Sequence, residues 1–356
     1  MFAAVFESNQ GLVLIEREIP SIGPDEALLR VEACGICGTD LRILHTGHRR
    51  LDANTPRILG HELSGTIVEF GSKVHGLERD TRVAVAPNMG CGQCDLCVSG
   101  YTQICPDYIS FGVGLDGGFS EYMLIPAKTI QQGNIARLPD TISFDEAALL
   151  EPLACCYHGL SACRLSPGET CLVYGAGPIG IMHMQLARAM GASKVFSATS
   201  HPERIEQFPH PIADAIVDPS QEQFHAQLLE LNNGKGIDVI IIATPSAKAQ
   251  LQALQIAKVH GRINLFSGLP KDSCITTIDS NLIHYKELTV TGTTGQTNRD
   301  FRACLELLSV GRVKLAELIT HRYPLSQIDT AIDAAREKYG LKVLVKPQQK
   351  EKLAPS

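Results

Sequence analysis

Between residues 2 and 138 the chain carries short apolar or alternating runs at 27–33, 62–70, 82–86 and 121–125, separated by clusters of Gly, Pro, Asn and Asp. Runs of that length, bounded by turn-forming residues, predict strands, so this stretch reads as a β-rich, turn-rich domain. Near Pro167 the rhythm changes. A strand at 171–174, a helical stretch at 179–190 and a strand at 194–198 open a new pattern. Strands at 215–217, 238–243, 262–266 and 287–292 then alternate with helical stretches at 221–231, 247–259 and 299–308. Such alternation predicts a parallel, doubly wound sheet. A final β-run at 342–346 follows a helical stretch at 326–338 and is expected to rejoin the first domain. Residues 348–356 are polar and charged, and a frayed tail is expected there. No internal repeat is found.

Two domains also suit the length of 356 residues, because one core rarely serves more than roughly 200. Composition adds mainly exclusions. With 44% hydrophobic and 20% charged residues the chain can bury a large core. A net charge of −6 supplies no basic field for nucleic acid or anionic lipid, which favours a small-molecule partner. The apolar runs fall far short of the roughly 20 residues of a membrane span, and Glu7 sits where a signal peptide would carry positive charge. The expected location is the cytoplasm, where twelve cysteines point to metal ligands rather than disulfides.

The strand at 171–174 runs directly into Gly175, Ala176, Gly177, Pro178, Ile179 and Gly180 at the start of a helix. In that context the first glycine permits a tight turn, the second admits a pyrophosphate, and the third lets helix and strand pack closely. The helix N-terminus adds free N–H donors and a positive dipole. An ordinary glycine-rich turn is the weaker alternative. An acidic side chain at the end of the second strand would bind the ribose of NAD, but Thr199 stands there, followed by Ser200, His201 and Arg204. A hydroxyl pair and an arginine suit a 2′-phosphate, so the sequence favours NADP over NAD.

Cys91, Cys94, Cys97 and Cys105 follow a C-x2-C-x2-C-x7-C spacing. Four thiolates in one glycine-rich loop fit a closed, structural zinc site. Short C-x2-C steps also serve iron–sulfur clusters, but zinc is favoured. A more dispersed set comprises Cys37 with Thr39 and Asp40, His61 with Glu62, and Glu151 before Pro152. Each is bland alone: an isolated cysteine is usually a small buried hydrophobe. Together they offer a thiolate, an imidazole and carboxylates, the ligand types of a zinc with an open position.

In this order the motifs resemble the zinc-dependent medium-chain dehydrogenases, nearest the sorbitol (polyol) and threonine dehydrogenase branch; the segment Gly117 to Tyr122 adds to the match. The resemblance covers the chain except its tail. It implies a GroES-like catalytic domain (1–150 with 293–356) and a doubly wound Rossmann domain (151–292). It also implies one catalytic and one structural zinc, with Cys37 and His61 as ligands and Glu62 and Glu151 sharing the remaining positions. Thr39 would pass the alcohol proton, and Asp40 would orient His61. Family members often carry a relay histidine where this chain has Arg42, and His45 lies near.

The expected reaction moves a hydride between NAD(P) and a secondary alcohol, a polyol or sugar derivative, or its ketone. The Arg-Tyr pair that holds sugar hydroxyls in polyol dehydrogenases is missing; Thr293, Gln296 and Asn298 stand in that stretch as possible hydroxyl partners. Arg42, Arg49 and Arg50 are cationic candidates for a phosphorylated substrate. A threonine-type or simple alcohol dehydrogenase shares the motifs. A zinc-free quinone reductase would leave Cys37, His61, Glu62 and Glu151 without purpose. A nonenzymatic zinc- and nucleotide-binding redox sensor is the alternative from another class. The family pairs subunits along the last strand of the cofactor sheet, so a homodimer or homotetramer through 288–292 is expected.

Overall fold

The computed structural model describes residues 1–7, 11–48, 51 and 55–349. Arg49, Arg50 and the end of the expected tail lie outside the described residues. The chain forms two compact units: Met1–Ala154 with Gln296–Val310 and Leu315–Ser356, and Cys155–Gly295 with Gly311–Lys314. Glu151 thus falls in the first unit, and the short segment Gly311–Lys314, expected in the catalytic domain, belongs to the second.

In the first unit the nine-residue strand Ala27–Gly35 is the hub of a seven-stranded sheet. It pairs antiparallel with Glu62–Phe70, with Tyr122–Ile125 and with the late strand Lys342–Lys346. The last of these lies parallel to Ile319–Pro324, so the chain end rejoins the first unit. Leu29, Val31, Leu63, Ile67, Val83, Val343 and Val345 supply its buried core. Removing such branched side chains from water stabilises by roughly 1.5–3 kcal/mol each.

The second unit is a six-stranded parallel sheet. Its strands lie in the spatial order Ala215–Val217, Lys194–Ala198, Thr170–Tyr174, Ile237–Ile242, Ala257–Leu265 and Thr289–Gly292. Numbered along the chain this is 3-2-1-4-5-6, the order of a dinucleotide-binding Rossmann sheet. Every residue of Thr170–Tyr174 is buried, as a central parallel strand covered on both faces requires.

Two expected elements change. The helix expected through Val259 ends at Ile256, where Lys286 Nζ donates to the carbonyls of Leu254, Gln255 and Ala257. The following strand begins at Ala257, with His260 at φ 59° and a register shift against Ile237–Ile242. The last strand begins at Thr289 because Glu287 caps an unexpected helix, Ser280–Lys286, in the left-handed conformation.

Candidate active site and nucleotide turn

The hub strand ends at Gly35, and two residues later Cys37 caps the helix Gly38–Thr46. Ile43, fully buried, anchors that helix. Asp40, also fully buried, serves three partners: it accepts from Cys37 N at 2.9 Å and from Gly60 N at 3.2 Å, and its Oδ1 faces His61 Nδ1 at 3.5 Å. One carboxylate therefore ties the cysteine segment to the histidine segment. With Nδ1 turned to Asp40, the imidazole is left to offer Nε2. Burial pulls the His61 pKa down, but the charges of Asp40 and Cys37 outweigh it and raise it well above the usual histidine value.

The approach of these segments depends on glycines. Gly60 has φ 90°, and a Cβ there would strike Cys34 Sγ and the Phe119 ring. A Cβ on Gly117 would strike the backbone oxygens of Gly60 and Leu59. The Gly117 to Tyr122 motif thus seats the turn that presents His61.

Cys37, His61 and Glu62 place their donor atoms within 4.8 Å of one another. Glu62 is 1% exposed and lies directly across the ladder from Gly35. Glu151, in the first turn of the helix Leu150–Ala162, is buried, and its charge acts on Lys342 beside Glu62. The donor set of thiol, imidazole and carboxylate fits a zinc ion that keeps a position for another ligand. Thr39 is half-buried, and Arg42 Nη2 lies 3.5 Å from its hydroxyl. His45 is exposed in the last helical turn.

Cys91, Cys94, Cys97 and Cys105 also gather their sulfurs within 4.8 Å. Cys91 and Cys97 Sγ are 3.9 Å apart, and Cys94 and Cys105 Sγ are 3.7 Å apart. Cys91 N donates to Cys105 Sγ, and Cys94 N to Cys91 Sγ, each at 3.3 Å. Amides aimed at sulfur favour the thiolate: backbone donors from Gln93 and Cys94 lower the Cys91 pKa to about 6. Burial pushes the Cys97 thiol up to about 12, so a metal would be needed to hold all four as thiolates, and four thiolates on one zinc would leave no position open. All twelve cysteines are free of disulfides.

In the second unit each glycine of the turn does a separate task. Gly175 has φ 109°. Gly177 caps the helix Pro178–Ala189, and nothing lies within 4 Å of where its Cβ would be, so its backbone is open to a ligand. A Cβ on Gly180 would strike Gly175 O, which enforces close packing. Ile179 sits in the first helical turn after Pro178. Thr199 is buried and its Oγ1 accepts from His201 N at 3.0 Å, so this hydroxyl shapes the turn. Ser200 is exposed, Arg204 half-buried, and Glu203 pairs with His201 Nδ1 at 3.3 Å.

The polar residues expected to meet substrate hydroxyls are engaged elsewhere. Thr293 donates to Asn264 Oδ1 at 3.2 Å, and Gln296 Oε1 accepts from Asn88 at 3.2 Å. Asn298 donates to Gln132 O at 2.8 Å and Asn134 Oδ1 at 3.1 Å. Sequence reasoning missed Lys342, which bonds to Glu62 and sits 6% exposed beside the candidate ligand cluster. Nothing local marks a lysine at the head of a β-run as buried; only its pairing across the sheet does.

Among the described residues no helix is long and apolar enough to cross a membrane. The family described as the alcohol dehydrogenase GroES-like domain matches residues 23–139, and that described as zinc-binding dehydrogenase matches 178–310. An L-galactonate-5-dehydrogenase of Escherichia coli K12 is 36% identical over 92% of this chain and 93% of its own length. A zinc-binding dehydrogenase of Sinorhizobium meliloti 1021, solved with NADP, is 31% identical with a TM-score of 0.87, covering 97% of this chain and 99% of that one. An alcohol dehydrogenase of Escherichia coli CFT073 complexed with NADH is 30% identical with the same TM-score and the same coverage of both chains. The ligand clusters, the glycine turn and these matches together show that the chain belongs to the zinc-dependent medium-chain dehydrogenase family.

Proposed function

We propose that this enzyme transfers a hydride between a secondary alcohol of a polyol or sugar derivative and a nicotinamide cofactor. The observation that carries the reading is the convergence of Cys37, His61 and Glu62 within 4.8 Å around a fully buried Asp40. The relative named for L-galactonate supports a polyhydroxylated substrate. A zinc at this cluster would supply a Lewis acid that lowers the pKa of the alcohol hydroxyl, and the nicotinamide would supply the hydride acceptor.

The residues of the chain then divide the work. Cys37 and His61 hold the metal, and Glu62 and Glu151 share the remaining positions. Thr39 takes up the alcohol proton and passes it toward solvent. Arg42 cannot relay it, because a guanidinium does not lose its proton in the working pH range. Arg42 lies close enough to Thr39 to meet an anionic group, a phosphate or carboxylate, on the substrate. The four-thiolate lobe binds a second, structural zinc.

NADP is the favoured cofactor. Ser200 and Arg204 flank the end of the strand Lys194–Ala198, and the neighbour solved with NADP supports the assignment, whereas the neighbour with NADH supports NAD. Arg204→Ala is expected to raise KM for NADP roughly tenfold and leave that for NAD little changed; an equal effect on both cofactors would refute the role of Arg204. The edge strand Thr289–Gly292, with Val290 exposed, supports a homodimer or homotetramer, which light scattering tests by mass. Free thiols fit a reducing cytoplasm. The reaction itself is tested by a panel of polyols, aldonates and their phosphates with both cofactors. Turnover of simple alcohols or threonine alone would overturn the substrate class.

A further inference from the structure

The strand Ile135–Arg137 is the outermost of the large sheet in the first unit, paired on one side only, to Arg82–Val85. Arg302, in the helix Asn298–Ser309, donates from Nη2 to Gly133 O at 2.8 Å and to Ile135 O at 3.4 Å, taking up carbonyls that no further strand takes. Arg137 Nη2 donates to the carbonyl of Gly76 on a neighbouring turn. Between these segments, all within the first unit, lies a cleft of about 360 Å³. Neither cysteine cluster nor the nucleotide turn contributes to it.

The walls of the cleft divide by chemistry. Leu77, Ile135 and Leu305 supply an apolar floor, and Arg137, Arg302 and Glu306 supply the charged rim. Ile135 and Arg137 are two residues apart on one strand and so present to the same face. Among the described residues neither guanidinium has a carboxylate partner; their bonds go to backbone carbonyls. A guanidinium carries five N–H donors, and these bonds engage only Nη2 of each, so both arginines are held in place with donors to spare. Glu306, four residues after Arg302 and exposed, forms no ion pair with it, so the rim keeps an excess of positive charge.

We propose that this cleft is a binding site for a small amphipathic anion, a carboxylate or phosphate ester whose acid group meets Arg137 and Arg302 and whose apolar body lies on Leu77, Ile135 and Leu305. Paired guanidiniums match the planar or trigonal oxygens of such groups, and an apolar floor with a few placed polar groups is the usual build of a small-molecule site. The site goes beyond the dehydrogenase reading and does not depend on it.

The test titrates the intact chain, with zinc and cofactor bound, with hexanoate, hexyl phosphate, acetate and hexanol, and follows binding by saturation-transfer NMR. Hexanoate or hexyl phosphate is expected to bind at least roughly tenfold more tightly than acetate or hexanol, because each of the latter lacks one half of the match. The tighter of the two long probes names the acid group. Arg302→Gln should weaken that probe roughly tenfold, and Arg137→Gln with Arg302→Gln should leave no measurable binding, with alcohol turnover unchanged in both variants. Binding at the catalytic metal would survive these substitutions, so undiminished binding in the double variant would overturn the site. Glu306→Gln should act in the opposite sense and tighten binding about threefold, because it removes a like charge from the rim. That variant changes an exposed side chain and decides the matter even if the arginine variants do not fold: unchanged or weaker binding there would overturn the proposal. Acetate binding as tightly as hexanoate, or no binding of either long probe, would overturn it as well.

Discussion

Cys91, Cys94, Cys97 and Cys105 lie on one loop, whereas Cys37, His61 and Glu62 are brought together by a strand end, a glycine turn and the next strand of the sheet. The difference in origin matches a difference in chemistry. A loop that closes on itself can satisfy all four positions of a metal with thiolates, and so excludes substrate. A cluster assembled from separate elements can leave a position open, but its geometry then depends on those elements staying in register. On the proposed reading the local cluster would support the fold and the dispersed one would react.

The largest effects should fall on the dispersed cluster alone. His61→Ala or Cys37→Ser is expected to lower kcat/KM by about 10³-fold or more, while metal analysis still finds the zinc of the four-cysteine lobe. Loss of both metals in either variant would show that the clusters are not independent. Cys94→Ser should act in the opposite sense. It should remove the lobe zinc and cost on the order of 4 kcal/mol of stability, read as a fall in the thermal midpoint, with the other metal still bound.

The nucleotide turn offers an intermediate case. Gly180→Ala places a Cβ against Gly175 O and is expected to cost about 1–3 kcal/mol by overpacking and to raise KM for the cofactor. Alcohol KM should change little. The smallest effect concerns the late strand that carries Lys342 and Lys346. Burial raises the Asp145 pKa, but hydrogen bonds from Lys346 and Arg322 outweigh it and hold the carboxyl below its usual value. A depressed carboxyl contributes stability that is present at pH 7 and lost as the pH falls below about 4. Asp145→Asn should therefore cost about 1 kcal/mol at pH 7 after solvent screening, and nearly nothing near pH 3 in urea titrations.

The same contrast governs what the sequence revealed. The four-cysteine spacing and the glycine turn are legible because each feature lies within one short segment. The strand runs at 62–70, 194–198 and 342–346 are legible because their apolar residues are bounded by turns. Cys37, His61 and Glu62 were legible as ligand types, but only the pairing of Ala27–Gly35 with Glu62–Phe70 shows why they meet. Lys342 was not legible, because its burial arises from a partner strand some three hundred residues away in the chain. The helix ending at Ile256 was overextended for a like reason: its carbonyls are capped by Lys286 on a later helix. Gln296 and Asn298 carry suitable groups for sugar hydroxyls, yet tertiary structure commits them to Asn88, Gln132 and Asn134.

The central claim is that one chain holds two metals with separate tasks, and graded chelation of the purified enzyme tests it most directly. The account predicts two zinc ions per chain, with turnover falling in step with loss of the first, circular dichroism unchanged at that stage, and activity restored by one equivalent of zinc. A single zinc per chain, or full turnover after the first zinc has gone, would contradict it.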